Sequence, residues 1–350
     1  MNLKEMAAAV AFLVLAVPAS VLLRQDPGLQ AAVVQQTAPS DLSEQPPQPT
    51  EQNPDNDKVF DGAPSSFFIL NRSTGRVEEM SARDFVRGAV AAEMPALYHP
   101  EALKAQAVAA YTYAVRRAME QRANPDPGLK GADFEADPEN LQVCLTEKQA
   151  REFYSEDFAF YWNKVCEAAD QAAKYILLYE GQPAATAYHA ISAGMTEDAA
   201  HVWQGETLPY LQAVESRGDR LAAGYESCVS FTAEQLRELL TEKTGENGLP
   251  DDLNRWVVPL EWSPSGYVTL VQIGEQNITG LELRFLLGLR SSHFQVEQQD
   301  GVFTFRVQGY GHGVGLSQNG ADYMARQGAT FDEILLHYYS GVTLALASEQ

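Results

Sequence analysis

Apolar positions recur along this chain with two spacings, and the switches between them mark its elements. Residues 82–93 carry apolar side chains at helical spacing, with Ser81 placed as N-cap, Asp84 in the first turn and Pro95 as the stop. A second helix is predicted over 100–122, with Pro100 at its first position and alanines that let a neighbour pack closely. The polar stretch 124–140 reads as loop, and 149–173 as one helix. Residues 175–179 and 184–191 read as a hairpin about Gly181. A helix over 231–241 follows, then a hairpin of 256–262 and 267–273 turned by Pro264, Ser265 and Gly266. Thr279 and Glu282 form a capping box for a short helix to Leu287. Strands at 293–296 and 302–308 lead into a glycine-rich loop, then helices near 317–326 and 331–339. Hairpins alternating with helix pairs predict an α+β fold, with a largely antiparallel sheet and helix pairs flanking a substrate groove.

The first residues follow a different pattern. Residues 6–23 hold no charge and are bracketed by Lys4 and Arg24, just enough apolar length to cross a bilayer. They are expected to form a single N-terminal membrane-anchor helix; a cleaved signal peptide and a buried helix are the alternatives. Residues 25–57 contain neither Lys nor Arg, and Pro46, Pro47, Pro49 and Pro54 sit among Gln, Glu, Asp and Asn, which reads as an extended tether. The expected organisation is a cytoplasmic stub and anchor over 1–24, a disordered linker over 25–58 and a catalytic body over 59–350, outside the cytoplasm.

A chain of 350 residues, 45% hydrophobic, can bury a substantial core. Its formal net charge of −22 argues against nucleic acid, because no basic stripe exists to displace phosphate counterions. A polyanionic substrate is still allowed, since a locally positive groove can exist on an acidic protein. Cys144, Cys166 and Cys228 give no disulfide framework: one bridge plus a free thiol, or three buried thiols, are both open.

Two segments carry candidate chemistry. Glu93-Met94-Pro95 puts a lone carboxylate at a helix–helix corner among apolar and small residues, where loss of solvent favours a carboxyl that delivers a proton near neutral pH. Far along the chain, Gly309-Tyr-Gly-His312-Gly-Val-Gly-Leu-Ser317-Gln318 combines glycines that admit close approach with side chains that bond hydroxyls and amides. Together they read as halves of a glycan-cleaving site.

Five blocks carry a resemblance: Glu93-Met-Pro with Glu101-Ala-Leu-Lys104-Ala-Gln106; Tyr188-His189-Ala-Ile-Ser192-Ala-Gly194-Met-Thr196; Tyr210 through Asp219; Gly311-His312 through Ala321; and Glu333 through Gly341. In this order, over about 65–345, they resemble the stage II sporulation protein D family. The resemblance implies a peptidoglycan lytic transglycosylase that cleaves between N-acetylmuramic acid and N-acetylglucosamine in glycan stripped of stem peptides, leaving 1,6-anhydro ends. One carboxylate suffices there, because the sugar's own C6 hydroxyl attacks; hydrolytic glycosidases usually need two. Glu93 takes the catalytic position, and Lys104, Gln106, His189, Tyr210, Asp219, His312, Ser317 and Gln318 take substrate-binding positions. Most have a structural alternative: a solvated helix-end glutamate for Glu93, a snorkelling lysine, a buried tyrosine, a turn-capping aspartate, hydrogen-bonded histidines, or helix capping for Ser317 and Gln318. The implied setting is engulfment in spore formation, on the mother-cell side of the septum facing the intermembrane space, beside a cell-wall amidase and a membrane partner. A non-catalytic, wall-binding enhancer of an amidase is the rival.

Some members of the family carry a His/Cys zinc site after the second helix. Here 132–144 holds one Cys and no His, so no metal and no cofactor is expected. Tyr111 stands where the family usually has Arg, Asn319 where it has Tyr, and Ala193 where it has Gly.

Overall fold

A computed structural model describes residues 58–136, 144–203, 207–245 and 248–349. These form two compact units. The first contains residues 58–188 and 321–349, the second 189–320. The expected anchor over 1–24 and the tether to residue 57 lie outside the described residues. Among those described, no helix is long and apolar enough to cross a membrane.

The first unit is built around two helices. Helix α1, Ala82–Glu93, starts as expected, the Ser81 side chain accepting from the Asp84 amide at 3.0 Å. Helix α2, Pro100–Ala123, is capped by His99, whose Nδ1 accepts from the Glu101 amide at 3.3 Å. Nearly every face of α2 is buried, so its alanines are sites of close contact with α1 and with helix Phe158–Ala172. The helix expected over 149–173 is two helices, Glu147–Tyr154 and Phe158–Ala172, broken where Ser155 takes a φ of 51°.

The sheets of this unit are mixed. Strand Thr343–Glu349 lies between Val59–Ala63, which it pairs in parallel, and Tyr175–Tyr179, which it pairs antiparallel. Ser66–Asn71 pairs antiparallel with Val77–Ser81 and in parallel with Phe134–Ala136. The latter is a short strand inside the stretch read as loop. The hairpin expected of 175–179 with 184–191 is much shorter: Tyr175–Tyr179 turns at Glu180 and Gly181, φ 51° and 78°, and its second strand is Gln182–Pro183. Positive φ at both central residues is the type I′ turn that suits strand twist.

The second unit matches the antiparallel expectation. Its two three-stranded sheets run Gln276–Thr279, Val268–Ile273, Val257–Trp262, and Phe294–Gln299, Val302–Gln308, Glu226–Thr232, with every pair antiparallel. Residue 231, expected in a helix, belongs to the last strand. The helix begins at Ala233, where Thr232 and Gln235 form a capping box. A core of Leu236, Leu240, Trp256, Val271, Ile273, Leu283, Phe303 and Phe305 joins the sheets to helices Ala233–Thr244 and Gly280–Leu287.

Candidate functional site

Of the residues read from the sequence, Glu93, Lys104 and Gln106 belong to the first unit, and His189, Tyr210, Asp219, His312, Ser317 and Gln318 to the second.

Glu93 is the last residue of α1 and is 4% exposed. The corner after it is tied down. The Met94 amide donates to the Val90 carbonyl, the Tyr98 amide to the Pro95 carbonyl at 2.9 Å, and the His99 amide to Asp322 at 2.6 Å. Lys164 donates to the Tyr98 carbonyl at 2.7 Å. A carboxyl group on such a corner has a fixed origin.

Tyr188 is the neighbour that the sequence reading quoted without assigning a role. Burial pushes its hydroxyl well above the usual pKa, and Glu93 beside it pushes the same way, as do Tyr113 and Tyr339. A hydrogen bond with Gln106 pulls in the opposite direction. Glu93, Tyr188, Gln106, Tyr113 and Tyr339 are therefore one electrostatic group. Tyr339 in turn donates to the Ala187 carbonyl at 2.9 Å. The signal for these tyrosines lay in the blocks around residues 188 and 339, but their distance from Glu93 in sequence hid it.

Lys104 lies elsewhere on α2. Two helical residues are about 200° apart, so Lys104 and Gln106 leave the helix on nearly opposite sides. Lys104 pairs with Glu101 at 2.7 Å, and Glu101 also accepts from the Phe331 amide at 2.8 Å. Lys104 lines a hollow of about 320 Å³ with Asp170, Gln171, Lys174, Tyr175 and Phe331.

In the second unit Asp219 is fully buried and acts as a hub. One carboxylate oxygen accepts from the Ser192 amide at 2.9 Å and its hydroxyl at 2.5 Å; the other accepts from Ser317 at 2.8 Å and Asn319 at 3.4 Å. Burial pushes its pKa up, and the hydrogen bonds from the serines work against that. Asn319, one of the departures from the family pattern, also donates to the Gly218 carbonyl at 3.2 Å, so it serves this framework. Ser317 additionally accepts from the Gly320 amide at 3.2 Å, a capping role.

The two histidines stack edge to face, with ring centres 5.7 Å apart. His189 shares a 3.1 Å hydrogen bond between Nδ1 and the Val314 carbonyl, and its Nε2 has no hydrogen-bond partner among the described residues. Burial pulls its pKa down to about 4, so its ring is neutral at physiological pH with Nδ1 as the donor. His312 Nδ1 accepts from the Val314 amide at 3.0 Å, and Trp203 lies 5.6 Å from its ring. Flanking glycines permit this loop: Gly311 and Gly313 have φ of 117° and 83°, and a Cβ on either would fall 2.6 Å from His189 or Tyr267. Tyr210 and Gln318 are buried, each 2% exposed.

Among the described residues no group of three or more His, Cys, Asp or Glu could hold a metal ion. All three cysteines are free, and Cys228 is exposed, so neither pairing alternative describes them.

The family described as Stage II sporulation protein matches residues 71–179. The Stage II sporulation protein D of Bacillus amyloliquefaciens is 32% identical over 286 residues, 81% of this chain and 80% of that protein. The Stage II sporulation protein D of Bacillus subtilis (strain 168) is 30% identical over 290 residues, 83% and 82% of the two chains. A third relative, the amidase enhancer of Bacillus subtilis (strain 168), is 23% identical over 74% of this chain but only 40% of its own length. The chain belongs to the stage II sporulation protein D family.

Proposed function

We propose that this protein is a peptidoglycan lytic transglycosylase of sporulation, with Glu93 as its single acid and then base. The observation that carries this reading is Glu93 itself: 4% exposed, at the carbonyl end of a helix, beside Tyr188, on a corner held by hydrogen bonds. Burial and the carbonyl-rich helix end both disfavour a charged carboxylate, the condition under which a carboxyl keeps a proton to give. In the proposed reaction the Glu93 proton passes to the oxygen bridging muramic acid C1 to the next sugar, and the C1–O bond breaks. The Glu93 carboxylate then takes the proton of the muramic acid C6 hydroxyl as that oxygen bonds to C1. No water enters, and the product closes as a 1,6-anhydro ring.

Asp219 supports the single-carboxylate mechanism, because four donors already occupy its two oxygens. Gln106, His189, Tyr210, His312 and Gln318 are proposed sugar contacts, Lys104 a charge beside the glycan, and Ser317 and Asp219 the framework that holds the glycine-rich loop. The proposed setting is engulfment, with the body outside the cytoplasm behind an anchor at 6–23, alongside a cell-wall amidase.

Digestion of peptide-free glycan strands followed by mass spectrometry tests the reading. Wild type is expected to release 1,6-anhydro ends, and Glu93→Gln to lower the rate by roughly 100- to 10,000-fold while still binding the strands. Equal release by both proteins would overturn it. The amidase-enhancer relative favours a second reading, a wall-binding partner that activates an amidase. Its signature is amidase stimulation, undiminished in Glu93→Gln, with no anhydro product.

A further inference from the structure

The second unit contains a hollow of about 500 Å³ lined by Ala193, Met195, Arg220, Tyr225, Pro264, Ser265, His293 and Gln308. None of these is among the candidate site residues read from the sequence. The volume falls in the range that holds small ligands.

Arg220 is the unusual member. In a chain with 47 acidic residues against 25 basic ones, an arginine readily finds a carboxylate. Arg83 and Arg87 share Asp170, Arg122 holds Asp133, and Arg326 holds Asp322. Arg220 holds no carboxylate among the described residues. Its partner is the Tyr225 oxygen, which uses only part of a guanidinium with five N–H donors. Tyr225 donates to the Ala193 carbonyl at 3.1 Å, which fixes the phenol beside the hollow.

The backbone makes room for these groups. A Cβ on Gly194 would overlap the Arg220 guanidinium, and a Cβ on Gly266 would fall 2.7 Å from His293 Nε2. Both side chains thus lie over bare peptide. Burial pulls the His293 pKa down, so at neutral pH the imidazole offers one donor and one acceptor. Ser265 is anchored to the Thr196 carbonyl at 2.9 Å, and Gln308 holds the exposed Glu226 at 3.2 Å, keeping that carboxylate on the carboxamide. Met195, 40% exposed, and Pro264 add an apolar surface. One planar cation without a carboxylate partner among the described residues, several neutral hydrogen-bonding groups and a small apolar platform suit an acidic sugar: a carboxylate for the guanidinium, hydroxyls for the polar groups, and C–H bonds for the platform.

We propose that this hollow binds a carboxylate carried on a sugar, namely the free lactyl carboxylate of an N-acetylmuramic acid without a stem peptide, with Arg220 as the anion-binding residue. The identity of the sugar rests on the peptidoglycan reading above. Where a stem peptide is attached, that carboxyl is an amide and carries no charge for Arg220 to hold. The hollow therefore distinguishes stripped from peptide-bearing glycan by charge.

Calorimetric titration of the whole protein at low salt tests this with N-acetylmuramic acid, N-acetylglucosamine and the dipeptide D-Ala-D-Ala, the last a carboxylate without a sugar. N-acetylmuramic acid is expected to bind roughly tenfold to a hundredfold more tightly than the other two, as a charge-assisted hydrogen bond implies. Arg220→Gln is expected to erase that preference without changing the melting temperature, Arg220→Lys to keep part of it, and Glu93→Gln to leave it intact. Equal binding of the two sugars, equal binding of the dipeptide, or a preference that survives Arg220→Gln would overturn the assignment. The readout involves no cleavage. A wild type that prefers N-acetylmuramic acid yet makes no anhydro product would sink the catalytic reading and leave this site standing.

Discussion

Asp219 shows how one buried side chain can fix several backbone segments. Replacing it with Ala strands the Ser192 amide and hydroxyl and the Ser317 hydroxyl, and is expected to cost on the order of 3 kcal/mol in urea denaturation. Asn, which keeps the shape and one acceptor, is expected to cost less; an Ala variant as stable as wild type would remove the hub role. His189 gives a pH dependence. Its folded pKa, about 4, lies below the ordinary histidine value of 6.5. The unfolded chain therefore takes up the proton first as pH falls, and stability is lost between roughly 6.5 and 4. The loss is on the order of 3 kcal/mol once His189 is fully protonated. His189→Gln is expected to flatten that window in denaturation midpoints measured from pH 7.5 to 4. Much of this was legible in the sequence, since Glu93, Asp219 and both histidines stand in recognisable blocks. Arg220 was not, although it directly follows Asp219: a lone arginine carries no signal until the three-dimensional arrangement shows no carboxylate on it among the described residues.

Helices α1 and α2 were readable because their start and stop chemistry is local: Ser81 and Asp84, Pro95 and Pro100. So was the capping box at Thr279, and so were the antiparallel hairpins of the second unit. What failed depends on distant partners. Residues 184–191 alternate like a strand, but on that edge of Tyr175–Tyr179 the ladder covers Gln182–Pro183, and Ile191 instead bridges Tyr310, far away in sequence. Phe134–Ala136 is a strand only because Ser66–Asn71 offers it a parallel edge. Close helix packing gives a test at this scale. Gly88 in α1 lies against the backbone of Leu145, whose amide donates to the Gly88 carbonyl at 3.0 Å, and a Cβ there would overlap the Leu145 carbonyl. Alanine gains about 1 kcal/mol of helix propensity, but backbone overlap is costlier. Gly88→Ala is expected to lower the melting temperature by several degrees in calorimetry, whereas a rise would show that the Leu145 segment yields freely.

Each unit buries its own apolar core, and the negative charge is carried mostly on exposed side chains. An acidic surface repels nucleic acid and leaves any attraction for an anion to local basic groups, such as Lys104 and Lys174, which share a hollow with Asp170 in the first unit, and Arg220 in the second. The proposed chemistry places one demand on the molecule as a whole, that a single buried glutamate replace the usual carboxylate pair by letting the sugar attack itself. That demand leaves a mark on the product. Cleavage of peptide-free glycan in water enriched in oxygen-18, read by mass spectrometry, is expected to give 1,6-anhydro ends without the label. New N-acetylmuramic acid reducing ends that carry oxygen-18, formed in proportion to cleavage and beyond the slow hemiacetal exchange of an enzyme-free control, would contradict it, because they arise when water, and not the C6 hydroxyl, attacks the sugar.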